Sequence, residues 1–359
     1  MFSMFSIYKR MTRIGYKKHK GRMREEILRI IDNDSFLLSE SSLRTLGGGG
    51  ETLKTRILEL TTPISDIQKQ KDILKRNLML VEIEIASFCN RKCYFCPNSF
   101  VDRSNNIELD EGIYLKILGN LKEIDYDKGL NFHRFNEPLA NKELILKRVK
   151  QARSYLPKAR FTIFTNGDYL TREYLDLLAD AGINNMIMSY YFPKTQEFDR
   201  LSLKDSMQKM GKKLGLESTI IQDDNARYAL RLIYESINIT YQAWNPKEIA
   251  CSRASSVKVR SSRAKPNLES SCYQSSLALY IDYNGLMMPC CNTRSDVDLH
   301  KDMILGDLQK GDVFSLFFSE HYTNMRRQLL FQTPQICNDC SDRWKNLFND
   351  TMTSIYLND

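Results

Sequence analysis

Leu78-Met79-Leu80-Val81-Glu82-Ile83-Glu84-Ile85 runs, four residues later, into Cys89-Asn90-Arg91-Lys92-Cys93-Tyr94-Phe95-Cys96. The first eight residues are aliphatic or β-branched apart from two glutamates, which predicts a strand. Three cysteines in the following eight residues predict a loop wrapped around a metal centre, because thiolates are the natural ligands of iron–sulfur clusters. A cube of four irons held by three cysteines leaves one iron without a protein ligand, open to a substrate or cofactor. The spacing differs from the ferredoxin run, in which two-residue gaps repeat and a fourth cysteine follows. The competing reading is a zinc site that borrows a ligand such as His133.

Downstream, the pattern predicts a helix over 111–122, a strand over 130–133, a helix over 142–152 and a strand over 160–164 that ends in Thr165-Asn166-Gly167. A helix over 171–181 and a strand over 185–189 follow, then a helix over 203–214 and strands near 228–234 and 237–243. This alternation predicts an α/β protein with a parallel sheet and crossover helices. Residues 252–271, rich in Ser, Arg and Lys, read as an exposed connection to a smaller cysteine-bearing unit that begins near Leu268. Upstream, Gly47-Gly48-Gly49-Gly50 reads as a loop, and no Lys-Ser/Thr pair follows to make it a phosphate-binding P-loop. Met23, Ile27, Leu28, Ile30 and Ile31 are spaced for a short amphipathic helix. The expected division is a basic N-terminal extension at 1–76, an α/β body at 77–262, and a cysteine-rich unit with its tail at 263–359.

With 359 residues, 42% hydrophobic and 27% charged, the chain can bury a large core, which excludes a disordered tail or a small disulfide scaffold. Residues 1–30 hold nine Lys/Arg against two Glu and so carry +7 of the net +8. The nearly neutral remainder excludes a uniformly basic nucleic-acid-binding body. Nine cysteines, an odd number, argue for metal or redox chemistry in a reducing, cytoplasmic compartment rather than a secreted disulfide framework. No apolar run reaches the roughly 18–20 residues that span a bilayer, and Met1–Ile7 is too short for a signal-peptide core.

The C-x3-C-x2-C arrangement, with Phe95 before the last cysteine, resembles the radical S-adenosylmethionine (radical SAM) superfamily over about residues 79–260. The resemblance implies a partial (β/α)6 barrel resembling a TIM barrel, with a [4Fe–4S] cluster on Cys89, Cys93 and Cys96 after the first strand. It also implies that the open iron chelates SAM, whose reductive cleavage yields methionine and a 5′-deoxyadenosyl radical that abstracts hydrogen from a substrate. An electron donor such as flavodoxin or ferredoxin follows from the same likeness. Phe135-Asn136-Glu137-Pro138 is similar to the family's Gly-Glu-Pro motif, with Asn136 in place of glycine and Glu137 toward the SAM amino group. Asn166 matches a position near the SAM ribose, Ser189 a contact at the end of the fourth strand, and Arg253 an arginine that pairs with the SAM carboxylate after the sixth. His133, Asp168 and Tyr191, near predicted strand ends, are candidates to bind substrate or take a proton.

Cys272, Gly285 and Cys290 form C-x12-G-x4-C, and Cys337 and Cys340 form C-x2-C. Over about residues 268–345 this resembles twitch, a truncated form of the SPASM domain of radical SAM enzymes, which implies one auxiliary [4Fe–4S] cluster. A four-cysteine zinc is the alternative. Four ligands close every iron of a cube, so the expected role is to take an electron, as in oxidation of a sugar, aminocyclitol or nucleotide sugar. Cys251 and Cys291 read as spectators. A peptide- or protein-modifying radical SAM maturase is the second reading. The third, of a different class, is a non-catalytic iron–sulfur or zinc module whose basic arm docks on RNA or an anionic membrane.

Overall fold

The computed structural model describes residues 50–192, 198–248, 251–258, 272–331, 334–338 and 340. The predicted helix over 23–31 and the glycine run up to Gly49 lie outside them. The chain divides into two compact units, Met1–Thr62 and Pro63–Asp359. The described part of the first is helix α1 (Gly50–Thr61); the sheet and both cysteine groups belong to the second.

Helix α2 (Ile67–Asn77) starts at Asp66, whose carboxylate accepts the Lys69 N–H at 2.6 Å. It closes where Leu78 N–H bonds Leu74 C=O and the backbone turns extended into β1 (Leu80–Ile83). β1 is buried on both faces, which accounts for its nearly unbroken apolar sequence. Parallel pairing then runs from β1 to β2 (Gly129–Asn131), β3 (Arg160–Thr165), β4 (Asn185–Ser189) and β7 (Asn238–Trp244). On its other side β1 pairs, also in parallel, with β8 (Ala278–Ile281). Antiparallel strands extend both ends: β6 (Arg227–Leu232) and β5 (Ser218–Asp223) beyond β7, β9 (Leu286–Met288) and β10 (Gly306–Asp307) beyond β8. The order is β10-β9-β8-β1-β2-β3-β4-β7-β6-β5. The fold is α/β with an open, partial barrel whose sixth parallel strand, β8, comes from the cysteine-rich region.

Helices α3 (Glu111–Glu123), α4 (Lys142–Tyr155) and α5 (Arg172–Ala181) make the crossovers between β1, β2, β3 and β4, and α6 (Arg200–Lys213) follows β4. Each opens on a side-chain cap, from Asp110, Asn141, Thr171 and Asp199 in turn, which satisfies backbone N–H groups that lack helical partners. The carboxyl ends of the parallel strands therefore share one rim. The first cysteine loop, residues 132–138, Thr165-Asn166-Gly167, Ser189–Tyr191 and the turn after β8 all leave from it.

Two features depart from the sequence expectation. β5 is an additional strand, which forms an antiparallel hairpin with β6 between α6 and β7, where a regular βα repeat would pass straight from the helix to the next parallel strand. Arg253 follows β7, the fifth parallel strand in chain order rather than the sixth.

Candidate active site and second cysteine site

The first cysteine loop is pinned at both ends of its span. Beyond β1, Leu109 N–H bonds Ile85 C=O at 3.0 Å, and Ser87 Oγ donates to Asn105 C=O at 2.8 Å. Cys96 N–H returns to Cys93 C=O at 2.9 Å, and a short 3₁₀ turn, Pro97–Ser99, follows. Arg91 grips Asp168 with two nitrogens, at 2.7 and 2.5 Å, and donates to Tyr191 C=O at 3.1 Å. Asn90 donates to Asp168 at 2.7 Å and accepts from Asn166 at 2.8 Å. The loop is thus tied to the ends of β3 and β4. Asp168, a candidate proton acceptor in the sequence, serves here as an anchor, and Arg91 holds its carboxyl below the usual carboxylate range.

Burial pushes the Cys89 thiol up to about 11 and the Cys93 thiol to about 12, with the neighbouring sulfurs adding to the rise. A metal bound by these thiols would have to displace the protons that burial holds on them. A cleft of about 460 Å³ opens beside Cys93 between Arg91, Tyr94, Ser99 and Tyr191. Phe95 packs 5.2 Å from both the Tyr94 and Tyr191 rings.

Glu137 is 5% exposed. It accepts Thr165 Oγ1–H at 2.6 Å, Asn166 N–H at 2.8 Å and Leu139 N–H at 3.1 Å, while its own N–H bonds Phe88 C=O at 2.9 Å. Asn136 accepts Arg134 N–H at 3.1 Å and keeps a buried Nδ2 without a partner. Ser189 is buried, near the Tyr191 side chain. His133 stacks on Phe164 at 4.5 Å, and burial with Arg134 and Arg253 nearby pushes it down to about 3, so it stays neutral. Arg253, Ala254 and Ser255 all have positive φ (48°, 51°, 63°), a costly run for residues with a Cβ. That turn aims Arg253 Nη1 at Asn292 Oδ1, 2.9 Å away.

Cys272, Cys290, Cys337 and Cys340, from three segments, line one cleft with Pro289, Met303 and Leu329. Cys272 N–H bonds Leu329 C=O on helix α7 (Glu320–Phe331), and Cys340 N–H bonds Cys337 C=O. Cys291 Sγ lies 3.7 Å from Gln274 Oε1, and Cys251 Sγ 3.5 Å from Asn292 Oδ1. Among the described residues no three His, Cys, Asp or Glu side chains gather closely enough to hold one metal ion. Three thiols in the first loop and four around the second cleft form an all-sulfur donor set, which fits iron–sulfur clusters.

Residues 83–200 match the radical SAM superfamily, and residues 272–341 match SPASM, an iron–sulfur cluster-binding domain. The chain carries a radical SAM domain followed by an iron–sulfur domain. The first domain works with a [4Fe–4S] cluster and SAM, and the second binds a further cluster. The chain is 36% identical over 119 residues to the S-adenosyl-L-methionine-dependent 2-deoxy-scyllo-inosamine dehydrogenase of Niallia circulans. That stretch is 33% of this chain and 47% of the relative, about half its length. The crystal structure of BtrN in complex with AdoMet and 2-DOIA superposes with a TM-score of 0.54 at 22% identity, covering 76% of this chain and 98% of that one. It supports the fold. No helix among the described residues is long and apolar enough to cross a membrane.

Around the radical SAM motifs lie residues that sequence reasoning missed. Glu82 on β1 is buried, accepts from Asn131 at 3.1 Å, and is raised by burial to about 7 despite Arg134 and Arg253. Arg134 donates to Cys290 C=O at 2.9 Å and Thr293 C=O at 2.6 Å, yet its Nε and Nη1 have no hydrogen-bond partner. Glu84 accepts from Arg103 at 2.5 Å and from Phe135 N–H at 3.0 Å, and Arg103 continues to Asp296 at 3.0 Å. Lone charges of this kind carry no spacing signal. The only hint was two glutamates in an otherwise apolar strand.

Proposed function

We propose that the chain is a radical SAM oxidoreductase that oxidises a small polar metabolite such as a sugar, aminocyclitol or nucleotide sugar. The observation that carries this reading is the partition of seven cysteines into two sites on one sheet: three in a loop at the carboxyl end of β1, four converging on a single cleft. A reduced first cluster with bound SAM supplies a hydrogen-abstracting radical. Cys89, Cys93 and Cys96 hold the iron, and Arg91 with Asn90 fixes their loop against β3 and β4. Glu137 faces the SAM amino group, Asn166 the ribose and Arg253 the carboxylate. Phe95, Tyr191 and Ser189 close the wall against water. Cys272, Cys290, Cys337 and Cys340 hold the second cluster as the acceptor of the substrate's electron. The buried, unpartnered atoms of Asn131, His133 and Arg134 suit a ligand rich in hydroxyl groups. The name of the relative from Niallia circulans, an aminocyclitol dehydrogenase, points the same way.

Anaerobic reconstitution tests the reading. Roughly eight irons per chain are expected for two cubes, with 5′-deoxyadenosine formed from SAM and a reductant. Cys93→Ala should abolish that cleavage, whereas Cys337→Ala should retain some cleavage and lose the oxidised product. Identical behaviour of the two variants, or an intact reduced cluster that never cleaves SAM, would overturn it.

A further inference from the structure

Three consecutive residues that carry side chains, Arg253, Ala254 and Ser255, hold left-handed backbone at φ 48°, 51° and 63°. Glycine takes this conformation without steric cost, and a simple bend would call for it. Other residues persist in such sparse conformations only where their surroundings over-determine them. Bonds within the turn close it: Ser256 Oγ donates to Arg253 C=O at 2.7 Å, and Val257 N–H to Ser252 C=O at 3.0 Å.

Three further bonds leave the turn, and each runs to a different segment of the second cysteine-bearing region. Arg253 Nη1 donates at 2.9 Å to Oδ1 of Asn292, two residues past Cys290. Ser255 Oγ donates at 3.0 Å to the carbonyl of Ile336, beside Cys337. Between them, Ala254 C=O lies 2.9 Å from His300 Nε2. His300 is fully buried and accepts the Arg294 N–H on Nδ1 at 3.1 Å. A neutral ring must then carry its proton on Nε2, aimed at the Ala254 carbonyl. The Arg253 and Ser255 anchors need side chains, which glycine could not supply. The Arg253 guanidinium also lies 6.0 Å from the centre of the Phe135 ring, two residues before Glu137. It therefore stands between the second cysteine region and the loop that carries Glu137. A long, rotamer-rich side chain loses less freedom on binding when its backbone and head are already held.

We propose that Asn292 and His300 are positioning residues for Arg253: from the second cysteine-bearing region they hold the left-handed turn and pre-organise the guanidinium that meets the SAM carboxylate. The inference rests on the reading of Arg253 as that carboxylate's partner.

The test is equilibrium dialysis of SAM against the full-length reconstituted protein, with the cluster left oxidised so that no turnover occurs. Asn292→Leu should weaken binding about tenfold, as expected for loss of a hydrogen bond to a charged group, and His300→Leu about threefold. His300→Gln, which keeps an N–H donor, should restore most of the affinity. Against an Arg253→Met background the same two substitutions should change the affinity by less than about twofold, because their effect passes through the arginine. An unmoved affinity in either single variant overturns the inference, as does an equal loss in both backgrounds, which marks a purely structural role. Ser255→Ala removes the third anchor at an exposed residue and should weaken binding about threefold. If both leucine variants fail to fold, an unmoved affinity in Ser255→Ala overturns the inference. Arg253→Met that binds SAM as the wild type does sinks the carboxylate reading itself. Weakened binding in Arg253→Met with none in the Asn292 and His300 variants sinks the positioning alone.

Discussion

Glu137 accepts three hydrogen bonds, each favouring its ionised form, yet its carboxyl is raised from the ordinary value of 4.5 to about 7 because burial outweighs them. The sign of the consequence differs between folding and binding. A group bound more tightly to its proton in the native than in the unfolded state lowers stability as pH rises through the window between the two values, here about 4.5 to 7. Glu82, raised over the same window, adds to that slope. A ligand ammonium group needs the carboxylate, so SAM affinity should move the other way. It should tighten nearly tenfold per pH unit up to about 7 and then level off. Equilibrium dialysis near pH 6 and pH 8 checks this, and Glu137→Gln should bind weakly at both. A wild-type affinity that is flat with pH would remove Glu137 from the amino-group role. Two ion pairs nearby separate by burial. Arg91 and Asp168 are each about one-third exposed, so Asp168→Ala should cost no more than about 1 kcal/mol. Glu84→Ala removes the nearer of the two carboxylates paired with buried Arg103 and should cost about 3–5 kcal/mol. Urea titration of the two variants, giving equal costs, would refute the distinction.

At the scale of elements, Gly285 explains why the second cysteine pattern has a glycine at its centre. The chain leaves β8 in the sheet and must turn back within a few residues to bring Cys290 to the cleft. Asp282 builds that turn by accepting Asn284 N–H at 2.9 Å and Leu286 N–H at 3.0 Å, with Gly285 N–H on its carbonyl. Gly285 sits at φ +79°, and a Cβ there would stand 3.2 Å from Ile113 side-chain carbons on α3. Gly285→Ala should therefore cost about 1–3 kcal/mol and reduce iron at the second site more than at the first. Thermal unfolding with iron counts in Cys93→Ala and Cys337→Ala backgrounds measures both, and unchanged iron at the second site would refute the turn's role. Elements with strong periodicity were legible: β1 to β4 and their helices follow from apolar runs bounded by caps and turns. β5 was not, because Ser218–Ile221 are exposed on both faces and so leave no alternation to read. Nor did anything mark Ala278–Ile281 as the partner of β1, since a parallel pairing across some 200 residues is written in neither strand alone. The site divides the same way. Cysteine spacing and the Glu137 and Asn166 motifs are local, whereas Arg134 meets the Cys290 carbonyl across 156 positions as an ordinary polar residue.

At the scale of the molecule, the two iron–sulfur domains share their structural core. β1, the strand that launches the first cysteine loop, has β2 on one side and β8 on the other. Hydrogen bonds from Met79 N–H to Leu277 C=O and from Glu84 N–H to Ile281 C=O extend the β8 ladder at both ends. Arg103 to Asp296, Arg134 to Cys290 and Arg294 to Asn98 then cross the same boundary with buried charges. Separating the regions would bare a sheet edge and leave several guanidinium groups in apolar surroundings without partners, each a penalty of kcal/mol size. Independent unfolding of either half should therefore be too costly to populate, and Pro63–Asp359 should melt as one cooperative unit. Metal at the second site stabilises only the folded form, so chelating its iron in Cys93→Ala should lower the midpoint of that single transition without splitting it. Calorimetry of the iron-loaded and chelated forms decides the matter. Two resolved transitions from this unit, or a soluble, cooperatively folded fragment of residues 63–258, would show that the shared sheet does not bind the halves into one.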